Sequence, residues 1–210
     1  PLYDEVNVRG SERLLNALRD FNVERFIYSG TMLVHQPCSP CESINELTPL
    51  KPAWAYPQSK ADTEAKIREQ RGKIPCTFLH LAGLYDDGSA VPTLAHQIAW
   101  IYERHPKSHL YAGDTEAGQS FIHLDDMLDL FKRCVDRRNK MPDDCVILAG
   151  EPEVMSYSEL QNTLGNLIHG EDKWTTVNLP QPLAKAGAWL QEKSEPVVPD
   201  AIDHGEKPFV

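Results

Sequence analysis

Tyr56 and Lys60 stand four positions apart in the stretch ELTPLKPAWAYPQSK. On a helix, an i,i+4 pair shares one face and its side chains are neighbours. The chemistry open to a phenol beside an ammonium is proton transfer. A free tyrosine has a pKa near 10, and lowering it by ~3 units for work close to neutrality takes roughly 4 kcal/mol. One cation about 4 Å away, at an effective dielectric of ~20, supplies about that amount. Lys60 is therefore sufficient in principle to prepare Tyr56 as a base. The spacing by itself is weakly specific, because a Tyr-x-x-x-Lys arises often by chance, so the surroundings must decide.

A second hydroxyl is wanted to hold a substrate oxygen against that phenol. In α/β sheets it comes from the end of a neighbouring strand. Thr31, in Ser29-Gly30-Thr31-Met32-Leu33-Val34, follows a β-type run and precedes Tyr56 by 25 positions (56 − 31).

The elements that would position these residues alternate between helix and strand. Asp4 is a plausible cap for a helix over 5–20, with Val6, Leu14, Leu15, Leu18 and Phe21 on related faces. A short strand over 25–29 is broken by Gly30, and a Pro-rich loop runs from His35 to about Pro52. Unstructured connections of that length in compact domains are usually functional or disordered. A helix over 55–70, carrying Ala61, Ala65 and Ile67, leads to an apolar strand over 76–82. A helix over 93–104 follows, then an irregular or β stretch over 109–124 punctuated by Gly113 and Gly118. Asp125 is expected to cap an amphipathic helix that ends at Arg137 and Arg138, where cations favour the helix dipole. The third apolar strand covers 145–148. Repeated βα units with near-continuous apolar strands predict an α/β fold whose parallel sheet is covered on both faces. From about residue 150 the texture changes to a smaller lobe, with a helix started by Ser156 or Ser158, a second over 183–191, and an extended last stretch.

Composition narrows the classes. With 41% hydrophobic and 25% charged residues in 210, the chain has enough apolar material for one good core. No apolar run reaches the length of a membrane span and no signal-peptide layout opens the chain, so no membrane partner and a cytoplasmic location are expected. A net charge of −10, with Lys and Arg dispersed, argues against nucleic acid as a partner. Five cysteines are an odd number in a chain too long to need staples, as in a reducing compartment. Cys38 and Cys41 form a C-x-x-C, but zinc needs four ligands and no second pair lies at suitable spacing, so two thiols in a surface loop are expected.

In order and spacing, several segments together resemble the extended short-chain dehydrogenases/reductases of the NAD-dependent epimerase/dehydratase family. They are Thr31 with Val34; Glu46, Pro49 and Pro52 as Glu-x-x-Pro-x-x-Pro; then Tyr56 and Lys60. Asn7-Val8-Arg9-Gly10-Ser11 resembles the family's Asn-Val-x-Gly-Thr helix start, Leu79 to Tyr85 its fifth strand and following loop, and Phe121 to Asp126 the segment before its next helix. The likeness covers about 3–165. It implies a catalytic Thr31, Tyr56 and Lys60 around a nicotinamide cofactor, NAD or NADP, with Lys60 on the ribose and Tyr56 exchanging a proton as hydride moves. Leu81 and Leu84 would lie beside the nicotinamide amide. By this resemblance, 1–150 is a partial dinucleotide-binding, Rossmann-like doubly wound sheet, and 151–210 is part of a small, mainly helical substrate lobe. Helices near 5–20 and 55–70 pair between subunits in the family, so a homodimer is expected, with a small-molecule substrate.

The departures are informative. The Gly-rich first βα unit that cradles pyrophosphate is not seen, so the chain reads as one beginning partway through the fold. Gln119-Ser120-Phe121 stands where nucleotide-sugar enzymes of this kind commonly carry an Arg before the Phe, and His80 replaces the usual Arg of the fifth strand. Loss of bidentate phosphate donors disfavours a sugar nucleotide and leaves a ketone, aldehyde or alcohol of another class open. A non-catalytic member of the same fold, acting as an assembly or regulatory subunit, and an inactive fragment remain alternatives. No metal site is expected. His123 with Asp125 and Asp126 reads as a strand-end His beside a helix cap, His80 as a hydrogen-bonded core histidine, Glu46 as a group that orders the loop, and Trp54 as a packing or pocket residue.

Overall fold

The computed structural model describes residues 2–36, 38 and 42–179. Two compact units emerge: one comprises Pro1–Asp86 with Phe121–Pro152, the other Asp87–Ser120 with the described residues from Glu153 on.

In the first unit, three strands form a parallel sheet: β1 (Phe26–Thr31), β2 (Cys76–Leu81) and β6 (Asp144–Ala149), with β2 central. The five residues from Cys76 to His80 are all buried, as both faces of a covered parallel strand must be. The register pairs Thr31 with Leu81 and Leu81 with Ala149, so the three strands end together. A shorter parallel pair, β3 (Gly83–Tyr85) with β5 (Phe121–His123), continues from β2.

The core gathers Leu15, Tyr28, Ile67, Cys76 and Phe78, with Phe26 and Val146 against them. Burying a side chain the size of Phe78 stabilises by about 1.5–3 kcal/mol. Above it the Arg68 guanidinium sits 4.0 Å from the ring centroid, covering the aromatic face with a weakly hydrated cation.

Helix α2 (Ala55–Gln70) has the predicted bounds but a different inner face. Pro57, Ser59, Thr63, Glu64 and Ile67 are buried, while Ala65 is exposed. Hydroxyls can line a buried face when they bond to their own helix. Ser59 Oγ donates to the Tyr56 carbonyl and Thr63 Oγ1 to the Ser59 carbonyl, both at 2.7 Å. Such internal satisfaction removes most of the cost of desolvating them.

The N-terminal helix differs from expectation as well. A π-helical segment, Asp4–Arg9, runs into α1 (Gly10–Leu18), and Asp4 lies inside it, paired with Arg9, rather than at a cap. Only Val8 and Leu15 are buried there, whereas Val6 and Leu14 stay exposed. Gly30 does not break the first strand. β1 runs through it to Thr31 because close packing, not a turn, explains the missing side chain there. Helix α4 (Leu124–Asp136) is capped by His123, whose Nδ1 accepts from the Asp125 amide at 3.2 Å. The strand-end histidine thus takes the capping role predicted for Asp125.

In the second unit, α3 (Pro92–Tyr102) begins with proline at a position that needs no amide donor. The short strands β4 (Leu110–Tyr111) and β7 (Val177–Asn178) pair in parallel. Helix α5 (Tyr157–His169) starts at Ser156 through a reciprocal capping box with Glu159 and stops at Gly170, which takes the left-handed φ of 70°. Trp174 stacks with both His109 and His169. Residues 87–120 group with this unit, and the helix expected over 183–191 lies outside the described residues.

A single side chain ties the lower edge of the sheet. Arg25 donates to the carbonyls of Cys76, Arg138, Met141 and Pro142 and to Thr77 Oγ1, at 2.8–3.3 Å. Arg25→Met keeps the aliphatic stem and removes every donor. We expect it to lower unfolding free energy by about 2–4 kcal/mol in a denaturant titration, because part-buried carbonyls lose their partners. A loss below ~0.5 kcal/mol would show that water replaces the guanidinium freely.

Candidate active site

Each residue singled out for chemistry sits at or next to the C-terminal ends of β1 and β2. Thr31 closes β1 and is buried; its Oγ1 accepts from the Leu33 amide at 3.3 Å, starting the 3-10 turn Met32–Val34. The hydroxyl thus serves the turn itself. Tyr56 lies in the first turn of α2, its ring tilted against Tyr3 with centroids 5.7 Å apart. Lys60 follows one turn later and reaches across to β1, where Nζ donates to the Ser29 carbonyl at 3.3 Å. The ammonium lies over the rings of Tyr28 and Tyr56, 5.3 and 6.0 Å from their centroids.

The i,i+4 spacing therefore does what a helix requires: it brings phenol ring and ammonium together over one strand end. Among the described residues, no hydrogen bond joins the side chains of Thr31, Tyr56 and Lys60 to one another. The electrostatics also differ from the simple picture of a phenol acidified by its lysine. Burial raises the Tyr56 pKa, with a smaller contribution from Tyr3, and burial lowers that of Lys60 against the opposing pull of Glu64. Desolvation penalises the charged form of each.

Leu81 ends β2 beside Thr31, and Leu84 lies in β3 opposite Ile122; both are half-buried. Next to them Tyr85 donates to Glu151 Oε1 at 2.5 Å, and that bond, with burial second, pushes the phenol up to about 12. Glu46 accepts from the Leu148 amide at 3.4 Å, so the loop carboxylate docks on the outer strand β6. Among the described residues, no group of three His, Cys, Asp or Glu could hold a metal ion. Cys38 is an exposed free thiol, and Cys41 lies outside the described residues. No described helix is long and apolar enough to cross a membrane.

Sequence reasoning missed the most buried polar group of the site. Glu64, one turn beyond Lys60, has no exposed surface; Oε1 meets His80 Nε2 at 2.9 Å and Oε2 accepts from Arg68 at 3.3 Å. The signal was available: Tyr56, Lys60, Glu64 and Arg68 recur at four-residue steps along one helix face.

A parallel sheet with helices against it, with polar groups near the carboxyl ends of its strands, places the chain in the α/β class, in which ligands bind at that edge. A profile of the NAD dependent epimerase/dehydratase family matches residues 2–150, and the chain belongs to that family. Solved structures share the fold. A UDP-glucuronic acid 4-epimerase from Bacillus cereus in complex with NAD superposes with a TM-score of 0.69 at 21% identity, over 92% of this chain and 63% of that one. A dTDP-glucose 4,6-dehydratase from Bacillus anthracis in complex with NAD gives 0.63 at 16% identity, over 90% and 63%. A UDP-glucose 4-epimerase with UDP-glucose from Thermotoga maritima gives 0.62 at 21%, over 83% and 56%. The chain thus spans less than two thirds of the length of each. A search among curated proteins returned no match.

The Tyr56 phenol can be checked spectroscopically. Since the folded-state pKa of Tyr56 is raised, its protonated form adds stability that is fully present below about pH 10 and is lost as pH rises through the folded value. In ultraviolet titration, the difference between the chain and Tyr56→Phe should show a phenolate midpoint above the ordinary tyrosine value. A midpoint below it means that Lys60 already acidifies the phenol unaided.

Proposed function

We propose that this chain is the catalytic portion of an NAD(P)-dependent epimerase, dehydratase or reductase that moves a proton and a hydride at a carbonyl or alcohol carbon. The observation that carries this is the placement of Lys60 at the Ser29 carbonyl, over the Tyr56 ring and beside the aligned ends of β1 and β2. That donor set fits the nicotinamide ribose end of a dinucleotide: an ammonium with donors to spare, a phenol, and the half-buried Leu81 and Leu84 nearby. When bound, the cofactor supplies the hydride exchange and, in its oxidised form, a positive charge. Tyr56 would hold the exchanging proton on its phenol oxygen, Lys60 would orient the ribose, and Thr31 would present its hydroxyl to the substrate oxygen.

The three neighbours described above are named for nucleotide sugars. We assign this chain a carbonyl or alcohol of another class, because Gln119 and Ser120 offer no guanidinium and His80 is turned inward. The cofactor we propose is NAD or NADP, and binding decides between them. We also propose a homodimer through the helices near 5–20 and 55–70, which would cover the exposed Val6 and Leu14.

One observation favours a second reading, a non-catalytic member serving as an assembly or regulatory subunit: burial holds Tyr56 protonated and penalises the charge on Lys60. Titration of NAD+ and NADP+, into this chain and into a version extended to the length of its structural neighbours, separates the two. In the binding-competent protein, Tyr56→Phe should cut turnover by at least ~100-fold, in the range of general acid–base loss, and leave cofactor affinity within a few-fold. Lys60→Met should weaken the cofactor as well. Saturable binding with turnover unchanged in Tyr56→Phe sinks the catalytic assignment.

A further inference from the structure

Beneath the candidate site runs a buried chain of three titratable groups to which no role has been given. Glu64 Oε1 lies 2.9 Å from His80 Nε2, and His80 Nδ1 lies 2.9 Å from His35 Nε2. The three residues are 0%, 1% and 4% exposed, in that order. His35 Nδ1, the far end, is buried without a hydrogen-bond partner among the described residues; burial and then the neighbouring His80 lower the His35 pKa, with the backbone of Pro49 and Thr48 opposing them. The packing is tight. A Cβ on Gly30 would come within 3.1 Å of Glu64 Oε1 and 3.4 Å of the His80 ring, which is why the strand carries glycine at that point.

Proton bookkeeping restricts this chain. A nitrogen–nitrogen hydrogen bond holds one proton, so between His80 and His35 one ring donates and the other accepts. Suppose His35 donates. Its Nδ1 is then bare and faces carbonyl oxygens, a lone pair against lone pairs in a buried place. Suppose instead that His80 donates. Then His35 is free to carry its proton on Nδ1, toward Pro49 and Thr48, and that repulsion becomes attraction. His80 must still satisfy Glu64 at its other nitrogen. Arg68 accompanies the second carboxylate oxygen at 3.3 Å, which favours ionised Glu64 and leaves the proton on the ring. His80 thereby donates at both nitrogens. The other charged and titratable neighbours of the set are Lys60, one turn back on α2, Tyr28 on β1, and Arg68, which continues to Asp144 on β6 at 3.1 Å.

His35 also stands where the loop returns. It forms an antiparallel bridge with Leu50, and the Lys51 amide donates to the Val34 carbonyl at 2.8 Å. Five residues after Lys51 comes Tyr56. We propose that Glu64, doubly donating His80 and His35 form a three-proton latch that fastens the loop before α2 to the sheet, and that His35 and His80 are positioning residues for Tyr56. The last clause rests on the catalytic reading above; the proton arrangement does not.

Two-bond nitrogen–proton correlation spectra of the histidine-labelled chain at neutral pH test the arrangement directly. The expected pattern has both His80 nitrogens protonated, His35 protonated at Nδ1 alone, and one His80 proton lost in Glu64→Gln. A bare nitrogen on His80, or His35 protonated at Nε2, overturns it, and the unsubstituted chain decides this even if Glu64→Gln fails to fold. For the latch, amide exchange of Lys51 should quicken by at least ~10-fold in His35→Phe while amides of β2 keep their protection. Unchanged Lys51 exchange defeats it. For the positioning role, His35→Phe in the turnover-competent protein should lower kcat by ~10-fold or more with KM for the cofactor within about 2-fold; an unaltered kcat rejects that role. Spectra and exchange are read without cofactor, so a failure of NAD to bind strikes the catalytic reading and leaves the latch standing.

Discussion

A carboxylate with no exposed surface has to be compensated on every side, and the first unit is arranged around that demand of Glu64. Its oxygens receive His80 from the central strand and Arg68 from one turn further along the same helix. Each of these acts at a second place as well: His80 meets His35, and Arg68 covers Phe78 and reaches Asp144 on the outer strand. Gly30 gives up its side chain to admit the group. One buried charge thus sets the distance between α2 and the sheet, and with it the height at which Tyr56 and Lys60 stand over the end of β1.

Removing one partner from such a set would leave a buried charge or lone pair uncompensated, which costs more than losing a surface ion pair. The exposed pairs of Arg9 with Asp4 and Lys132 with Asp136 have no comparable hold on the fold. The same desolvation that makes the Glu64 set rigid acts on the two residues above it. Burial disfavours both phenolate and ammonium.

Much of this was legible in the sequence because it follows period and punctuation. The bounds of α2, the three parallel strands, the start of α5 at Ser156 or Ser158 (the structure has Ser156) and the family itself could be read from apolar runs, caps and the order of short segments. What could not be read depended on which face of a weakly amphipathic helix turns inward. The sequence of α2 offers alanines and an isoleucine as the natural inner stripe, but Ser59, Thr63 and Glu64 go inside because hydroxyl-to-helix bonds and the His80 partner satisfy them. Gly30 looks like a strand breaker by composition; only the approach of a carboxylate from another element reveals it as a site of close packing. Whether Lys60 addresses the oxygen or the face of Tyr56 is likewise a matter of rotamer and depth, which spacing does not contain.

His80 is where the buried set departs from the family resemblance. At the position where the family resemblance leads one to expect an arginine, this chain has an imidazole that is 1% exposed and engaged at both nitrogens. An arginine at a strand end can offer a planar fork of donors to a diphosphate. A histidine held inward by Glu64 on one side and His35 on the other has no donor left to offer outward. Moving it to face a ligand would strand Glu64 beside Arg68 alone and empty the space under Gly30. The imidazole at this position is instead part of the buried set between the central strand, α2 and the loop that begins at His35.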